Sequence, residues 1–594
     1  MRNHVSAGFR IVFVSAVCVL ASCGGGGGNG DGDSGGPTPP PPPSANMVVT
    51  GTVASGAALA AAVVDANCLG GAGSATSAAD GTYTVTIADG RLPCVVRATA
   101  GALVLHSIAS GAGSSSARAN ITPVTELVVA HLTGGAPAAY FAGFAPISLD
   151  TAAGRFNASI VTGNLSTSIV GPVASAVIAS LQANGLDLTG VGDPVGGPLV
   201  AASGSTAGDA HDQALDRLDG ALTASGVTLD FLTQAVALAS PNAPVESHTT
   251  VALLPPERLL AASASNCASF RSGRYRLIVN EAAASPAQVL VDFNATTLAL
   301  KDLDSGATAS LIATGPCTFQ NPSGGEVAVS RSGVAIGRVT GPDLQLHAFI
   351  AVPEQPHSVA ELAGVWNYVS MERTIAGGPV HLTAGTAVFD LSGHLTAQDF
   401  CDDMKTCAAV PAAQLPAILI SLNGVGGFEL AYVGTSNTDR LFAYRAGGGE
   451  LMLLQIAASG RIVYYTRKTP AVLPPVGRTQ QGMNAFVSSL YTAPAAMSLS
   501  GSTITSTDPA SGSYVRSAIQ NFITGATRPE TFVINSPREG YVRRVAGPAL
   551  HTDGTASNVV EFVSLSMRGM DMSVFGLTQS NQLGLFATTA SSTP

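Results

Sequence analysis

The chain is poor in charge, in lysine and in tryptophan. Only 11% of its 594 residues are Asp, Glu, Lys or Arg, against 46% that are hydrophobic. Lys301, Lys405 and Lys468 are the only lysines among 28 basic residues, and Trp366 is the only tryptophan. Bases this few, outnumbered by 38 acids, argue against nucleic acid as a partner and against electrostatic binding to anionic lipid. The chemical signatures are scarce too. No Gly-Lys dipeptide occurs, which removes a P-loop, and no His-Glu-x-x-His occurs, which removes a zincin site. None of the three lysines has a serine three residues before it, so Ser-x-x-Lys is absent. The one Gly-x-Ser-x-Gly, Gly32 to Gly36, has no strand before it and no helix after it, and reflects composition. Asn29, Asp31 and Asp33 start like a calcium loop, as does the stretch from Asp302 to Gly306, but the required glycine and glutamate are not in place. Asp390, Ser392 and His394 straddle a Ser-Gly turn, from which triad members would diverge. The sequence therefore assigns no catalytic residue, no cofactor and no metal ligand, and leans away from an enzyme.

What is present begins at the N-terminus. Arg2 and Arg10 precede an apolar run from Ile11 to Leu20, the layout of a secretory leader. Ten residues are half of what a bilayer span requires, roughly 20, and no later run reaches that length. The next four residues, Leu20-Ala21-Ser22-Cys23, match a lipobox, so the chain resembles bacterial lipoproteins. That resemblance implies a signal peptide over 1–22, cleavage before Cys23, and a diacylglyceryl thioether plus an N-acyl chain on Cys23. More than one acyl chain is what stable anchoring needs. Gly24 in place of Asp resembles the outer-membrane sorting pattern of Gram-negative lipoproteins, which implies an outer-membrane protein facing the periplasm or the cell surface. Residues 23–46, mostly Gly, Asn, Asp and Ser followed by six prolines between Pro37 and Pro43, cannot pack and read as a tether.

Beyond the tether the pattern is that of a multidomain, mainly β protein with an α-helical insert: a β-sandwich plus antiparallel meander or barrel-like units. Residues 47–118 alternate short β-prone runs with turns such as Asp80-Gly81. The order Gly51-Thr52-Val53, Gly56, Leu59, Ala62-Val63, Asp80-Gly81-Thr82-Tyr83 resembles the carboxypeptidase regulatory-like (transthyretin-like) domain, which implies a non-catalytic packing or binding module. Residues 119–262 are helical. Thr122 and Pro123 suit N-cap and N1, Glu126 falls one residue late for a capping box, Pro172 should open a second helix, and Thr228 should cap another with Val227 stapled onto Leu232. His211 and Asp212 read as a solvated helix end.

From Cys267 onward the period is two. An antiparallel β unit over 263–358 precedes a meander of about seven strands over 359–470, and a C-terminal β unit fills 471–594. Gly364-Val365-Trp366 resembles the first-strand motif of lipocalin-like barrels, with the likeness spanning 361–468, and Gly273-Arg274-Tyr275 echoes it as a possible repeat. Trp366 is accordingly the candidate lining of a ligand cavity, with a filled core as the alternative. Once Cys18 leaves with the leader and Cys23 is spent on lipid, Cys68, Cys94, Cys267, Cys317, Cys401 and Cys407 remain, even in number and in neighbouring pairs. In an oxidising envelope they read as three local disulfides. The functional expectation is a lipid-anchored envelope protein that binds a ligand or partner. The alternative is an envelope hydrolase whose site converges only in three dimensions.

Overall fold

The computed structural model describes residues 46–590 except 241, 243–253, 280–286, 322–323, 341–345, 374–379, 403, 448–450, 458–460, 488–495, 568 and 578–581. The leader, Cys23 and nearly all of the tether lie outside the described residues. The chain is mainly β, with one helical region between its β units.

Two sheets form the first unit. Met47–Thr52 pairs with Thr82–Ile87 and with Ala117–Arg118, and a four-stranded sheet is built on Val63–Gly70 and Arg91–Ala100. Thr82–Ile87 alternates between exposed and buried positions, so Tyr83, Val85 and Ile87 enter a core with Val49, Val64 and Val96. Gly81 holds a left-handed φ of 79°, and a Cβ there would strike the Val53 carbonyl. The turn at Asp80-Gly81 therefore excludes other residues by conformation and by space.

The helical region packs directly on this sandwich, with Ala54, Val95 and Ile108 joining the helix core. Thr122 caps Pro123–Thr133, and a capping box does form, through Thr125 and not Glu126. Glu126 is left free to accept from the His106 backbone N–H at 2.6 Å and from its Nδ1 at 2.9 Å. Pro172 does not open a helix. It lies inside Thr167–Ala183, where the carbonyl it deprives of a partner is that of exposed Ser168 in the first turn, which water can satisfy. His211 and Asp212 are likewise buried, at 4% and 1% exposure, and not solvated. Asp209 caps their helix and also accepts from Val200 N–H, while Asp212 accepts from Ala202 N–H, so the helix start is sewn to the preceding loop. Thr228 caps Leu229–Leu238 as expected.

Two sheets of identical topology follow. Each has nine strands, in which four lead outward, five return, and the first strand pairs with the last. The first runs from Gly273–Val279 to Leu346–Pro353, and the second from Gly364–Arg373 to Ile462–Arg467. Nine strands replace the expected seven because Thr406–Ala409 and Ile418–Leu422 add short pairs at the sheet opening. The repeat extends to side chains. Gly273 and Gly364 hold φ of 129° and 130°, and an arginine guanidinium sits where each Cβ would be. Two residues on, Tyr275 Oη and Trp366 Nε1 each donate at 2.8 Å to the carbonyl four residues back, Arg271 and Leu362. Arg258 covers the first ring at 5.0 Å and Arg467 the second at 4.0 Å. Both interiors are filled with rings: Phe270 stacks on Phe293 at 3.8 Å beside Phe319, and Tyr368, Phe389 and Tyr465, in contact with one another, share a core with Trp366.

The C-terminal unit is a closed eight-stranded barrel from Thr479–Val487 to Gln582–Ala590, with the hairpin Gly547–Leu550 and Ala556–Val559 inserted between its fifth and sixth strands. Its outer face joins the outer faces of both nine-stranded sheets in one apolar core, through Val563, Leu565, Val574 and Leu585 on the barrel, Ile336 and Ile350 on the first sheet, and Leu454 and Tyr464 on the second. Eight of the ten methionines collect at this junction: Met371, Met404, Met452, Met483, Met497, Met567, Met570 and Met572. Unbranched thioethers fit irregular gaps between curved surfaces better than branched aliphatics do.

Candidate functional site: a basic chamber in the C-terminal barrel

With its outer face committed to the shared core, the barrel turns its polar positions inward. Along Phe562–Met567, Val563 and Leu565 point to the junction while Ser564 faces the lumen, and on Met572–Leu577 Val574 points outward while Phe575 faces inward. Serines at inward positions (Ser498, Ser500, Ser564, Ser573) and inward Gly482 and Gly584, whose Cβ atoms would strike Phe586 and Phe575, fill little volume. The lumen is part of a cavity of about 1370 Å³ that continues past the barrel mouth along residues such as Leu238, Leu254, Arg331 and Arg467, larger than the usual range for a drug-sized ligand, about 300–1,000 Å³.

Charge is concentrated on one wall. Glu530, 2% exposed, projects from Thr527–Ile534 among three arginines. Arg516 donates to its Oε2 from Nε at 3.0 Å and from Nη2 at 2.8 Å. Arg528 Nη2 donates to Oε1 at 3.0 Å, and Arg544 Nη1 donates to the same oxygen at 3.1 Å. Burial pushes the Glu530 carboxyl up, but the Arg516 and Arg544 charges more than reverse this and hold it below the ordinary carboxylate range. Burial also pulls the Arg544 guanidinium down to about 10, against the pull of Glu530. Aromatic faces back the cations: Arg516 lies 4.6 Å from the Phe532 ring centre and Arg544 lies 4.1 Å from that of Phe562. Around the whole cavity stand six arginines, with Arg331, Arg467 and Arg478 added to these three, against two acids, Glu530 and Asp571. An acidic chain has thus gathered basic groups around this cavity.

Trp366 is fully buried and packed, and it does not line the chamber; it touches the chamber only through Arg467. The six expected cysteines form Cys68–Cys94, Cys267–Cys317 and Cys401–Cys407. Cys23 lies outside the described residues. Asp390, Ser392 and His394 form an exposed turn in which Asp390 accepts from the Ser392 and His394 backbone N–H groups, so the carboxylate serves the turn. Among the described residues no cluster of three or more His, Cys, Asp or Glu could hold a metal ion. One further arrangement appears on the inserted hairpin: His551 Nε2 lies 2.8 Å from Ser557 Oγ, which also accepts from Arg528 Nη1 at 3.2 Å.

Sequence reading missed Arg516, Arg528, Glu530 and Arg544. The signal was present as charges two apart in β-prone runs, Arg528-x-Glu530 above all, in a chain with little charge to place.

No family model matches this chain, and no curated protein does. Two solved structures show partial likeness. One is a protein of unknown function from the DUF3598 family of Nostoc punctiforme, 13% identical, with 39% of this chain and 98% of that one covered and a TM-score of 0.13. The other is an intact TbpB with N and C lobes, 9% identical, covering 51% of this chain and 66% of that one with a TM-score of 0.12. Scores this low carry neither fold nor function across.

Proposed function

We propose that this is a lipid-anchored protein of the outer membrane, held there by acyl chains on Cys23, whose C-terminal barrel binds a ligand without transforming it. The observation that carries the reading is the chamber itself, a large, partly open volume lined by convergent polar groups and by aromatic rings. Its charged groups suit binding better than turnover. Guanidiniums stay protonated at neutral pH, and the one buried carboxylate is held ionised by them, so neither is poised to exchange a proton. The lipobox and the Gly/Pro tether support the anchor, and the regulatory-like residues 47–118 fit a packing role. The reading is tested by native mass spectrometry of the protein extracted from its own membrane. A small molecule should accompany it at one per chain and should be lost from a Ser564→Trp variant, whose indole would fill the lumen. A ligand-free native protein, or a ligand retained by the filled barrel, would overturn it.

A second reading, an envelope hydrolase, rests on the Ser557–His551 contact. It requires ester hydrolysis by the full chain that Ser557→Ala abolishes.

A further inference from the structure

The guanidiniums of the chamber are not consumed by their internal partner. Among the described residues, Arg516 Nη1 and Arg544 Nη2 donate to no protein acceptor, although both side chains are largely enclosed, at 18% and 12% exposure. Arg478, exposed at the chamber edge, makes no side-chain hydrogen bond or ion pair with any described residue. Three part-buried cations around one buried carboxylate leave a formal surplus of two positive charges where water is restricted. Such a surplus is stabilised by an anion.

The neighbours say which kind. Glu530 shows that the two guanidinium forks are spaced to take a carboxylate, with both of its oxygens engaged. Beside that wall run Phe562, Phe575 and Phe586, with Phe562 and Phe575 ring centres 5.1 Å apart. They offer an apolar track, and the inward groups adjoining them in sequence, Ser564 and Ser573, are uncharged hydroxyls. Resting on the chamber reading above, we propose that the ligand is a monocarboxylic acid with an apolar tail, its carboxylate taken by the unused donors of Arg516 and Arg544 and its tail laid along these rings. Arg478 attracts the acid from the rim, and Glu530 competes with it for the same cations.

Calorimetric titration of the full-length protein in lipid nanodiscs, with empty nanodiscs as the blank, separates the possibilities. Decanoate should bind saturably at one per chain, decanol at least about tenfold more weakly, and decylammonium no more than to the blank. Arg478→Gln breaks no pair in the fold. It should weaken decanoate by about threefold, leave decanol unchanged, and reduce the salt dependence of decanoate binding. Glu530→Gln, isosteric but uncharged, should tighten decanoate binding, because a competing anion is gone. Equal affinity for decanol and decanoate, or indifference of decanoate to Arg478→Gln, would overturn the acid assignment while leaving a binding chamber. Absence of binding by all three probes would remove the chamber reading with it.

Discussion

The hydroxyl of Tyr541 shows how much one atom can hold in this molecule. Tyr541 belongs to the C-terminal barrel and is fully buried, yet its Oη lies between two strands of the second nine-stranded sheet. It accepts from the backbone N–H groups of Tyr368 at 3.1 Å and Gly385 at 3.0 Å, and its single hydrogen can go to either of their carbonyls, at 2.7 and 2.6 Å. Tyr368 and Gly385 face each other in register, so the hydroxyl occupies the place where the two would otherwise bond directly. Gly385 is required there, because a Cβ would strike both the Asp399 carbonyl and the Tyr368 ring. Burial pushes the Tyr541 phenol far up, so it stays a neutral donor and acceptor at any pH the fold survives. Tyr541→Phe keeps the ring but strands two buried N–H groups, and should cost about 2–4 kcal/mol. Urea unfolding should show this as a lower midpoint with an unchanged slope. A loss below half a kilocalorie would mean that the strands close on each other once the hydroxyl is gone.

At the scale of the element, much was legible. Caps at Thr122 and Thr228, the Asp80-Gly81 turn and the glycine-x-aromatic starts at Gly273 and Gly364 are local chemistry, and local chemistry is written in neighbouring residues. Pro172 misled because a proline's cost depends on whether water reaches the carbonyl it frees, which is a matter of exposure. The chamber escaped for a deeper reason. Alternation gives two faces to a strand but does not say which faces the lumen, and in the C-terminal barrel the apolar face is outside because another unit covers it. The disulfides were legible from number and spacing, and their placement now ranks them. Cys401 and Cys407 face each other on adjacent strands only six residues apart, joined already by a tight turn, whereas Cys267–Cys317 closes a span of 50. In the loop-entropy account the longer closure contributes about 4 kcal/mol and the shorter about 2. Serine pairs replacing Cys267/Cys317 should therefore lower the thermal midpoint further than serine pairs at Cys401/Cys407. The reverse order would place the weight on the packing of Cys401 in the methionine-rich core.

For the whole molecule, the distribution of cores sets how the chain should come apart. The helices share an apolar core with Ala54, Val95 and Ile108 of the sandwich, Leu229 packs against both that core and the sandwich's own, and the three C-terminal β units share another core at their common junction. The interior of each nine-stranded unit could persist alone, but its outer face could not, since Ile350 and Leu454 on those faces are buried in the core they share with Val574 of the barrel. The two nine-stranded units and the barrel should thus melt together, and separately from the residues before about 240. Scanning calorimetry of the intact protein should resolve two transitions, the larger belonging to the three β units. Gly576→Leu identifies which is which. Gly576 faces the junction, and a Cβ there would land on the Met404 sulfur and crowd Leu382. Leucine would push the barrel off the second sheet, at a cost of about 1–3 kcal/mol. The larger transition should fall by a few degrees and stay single, while the smaller one holds its temperature. Splitting of the larger transition in the native protein, into one step for the barrel and another for the sheets, would show that the junction seals three independent folds and does not create one.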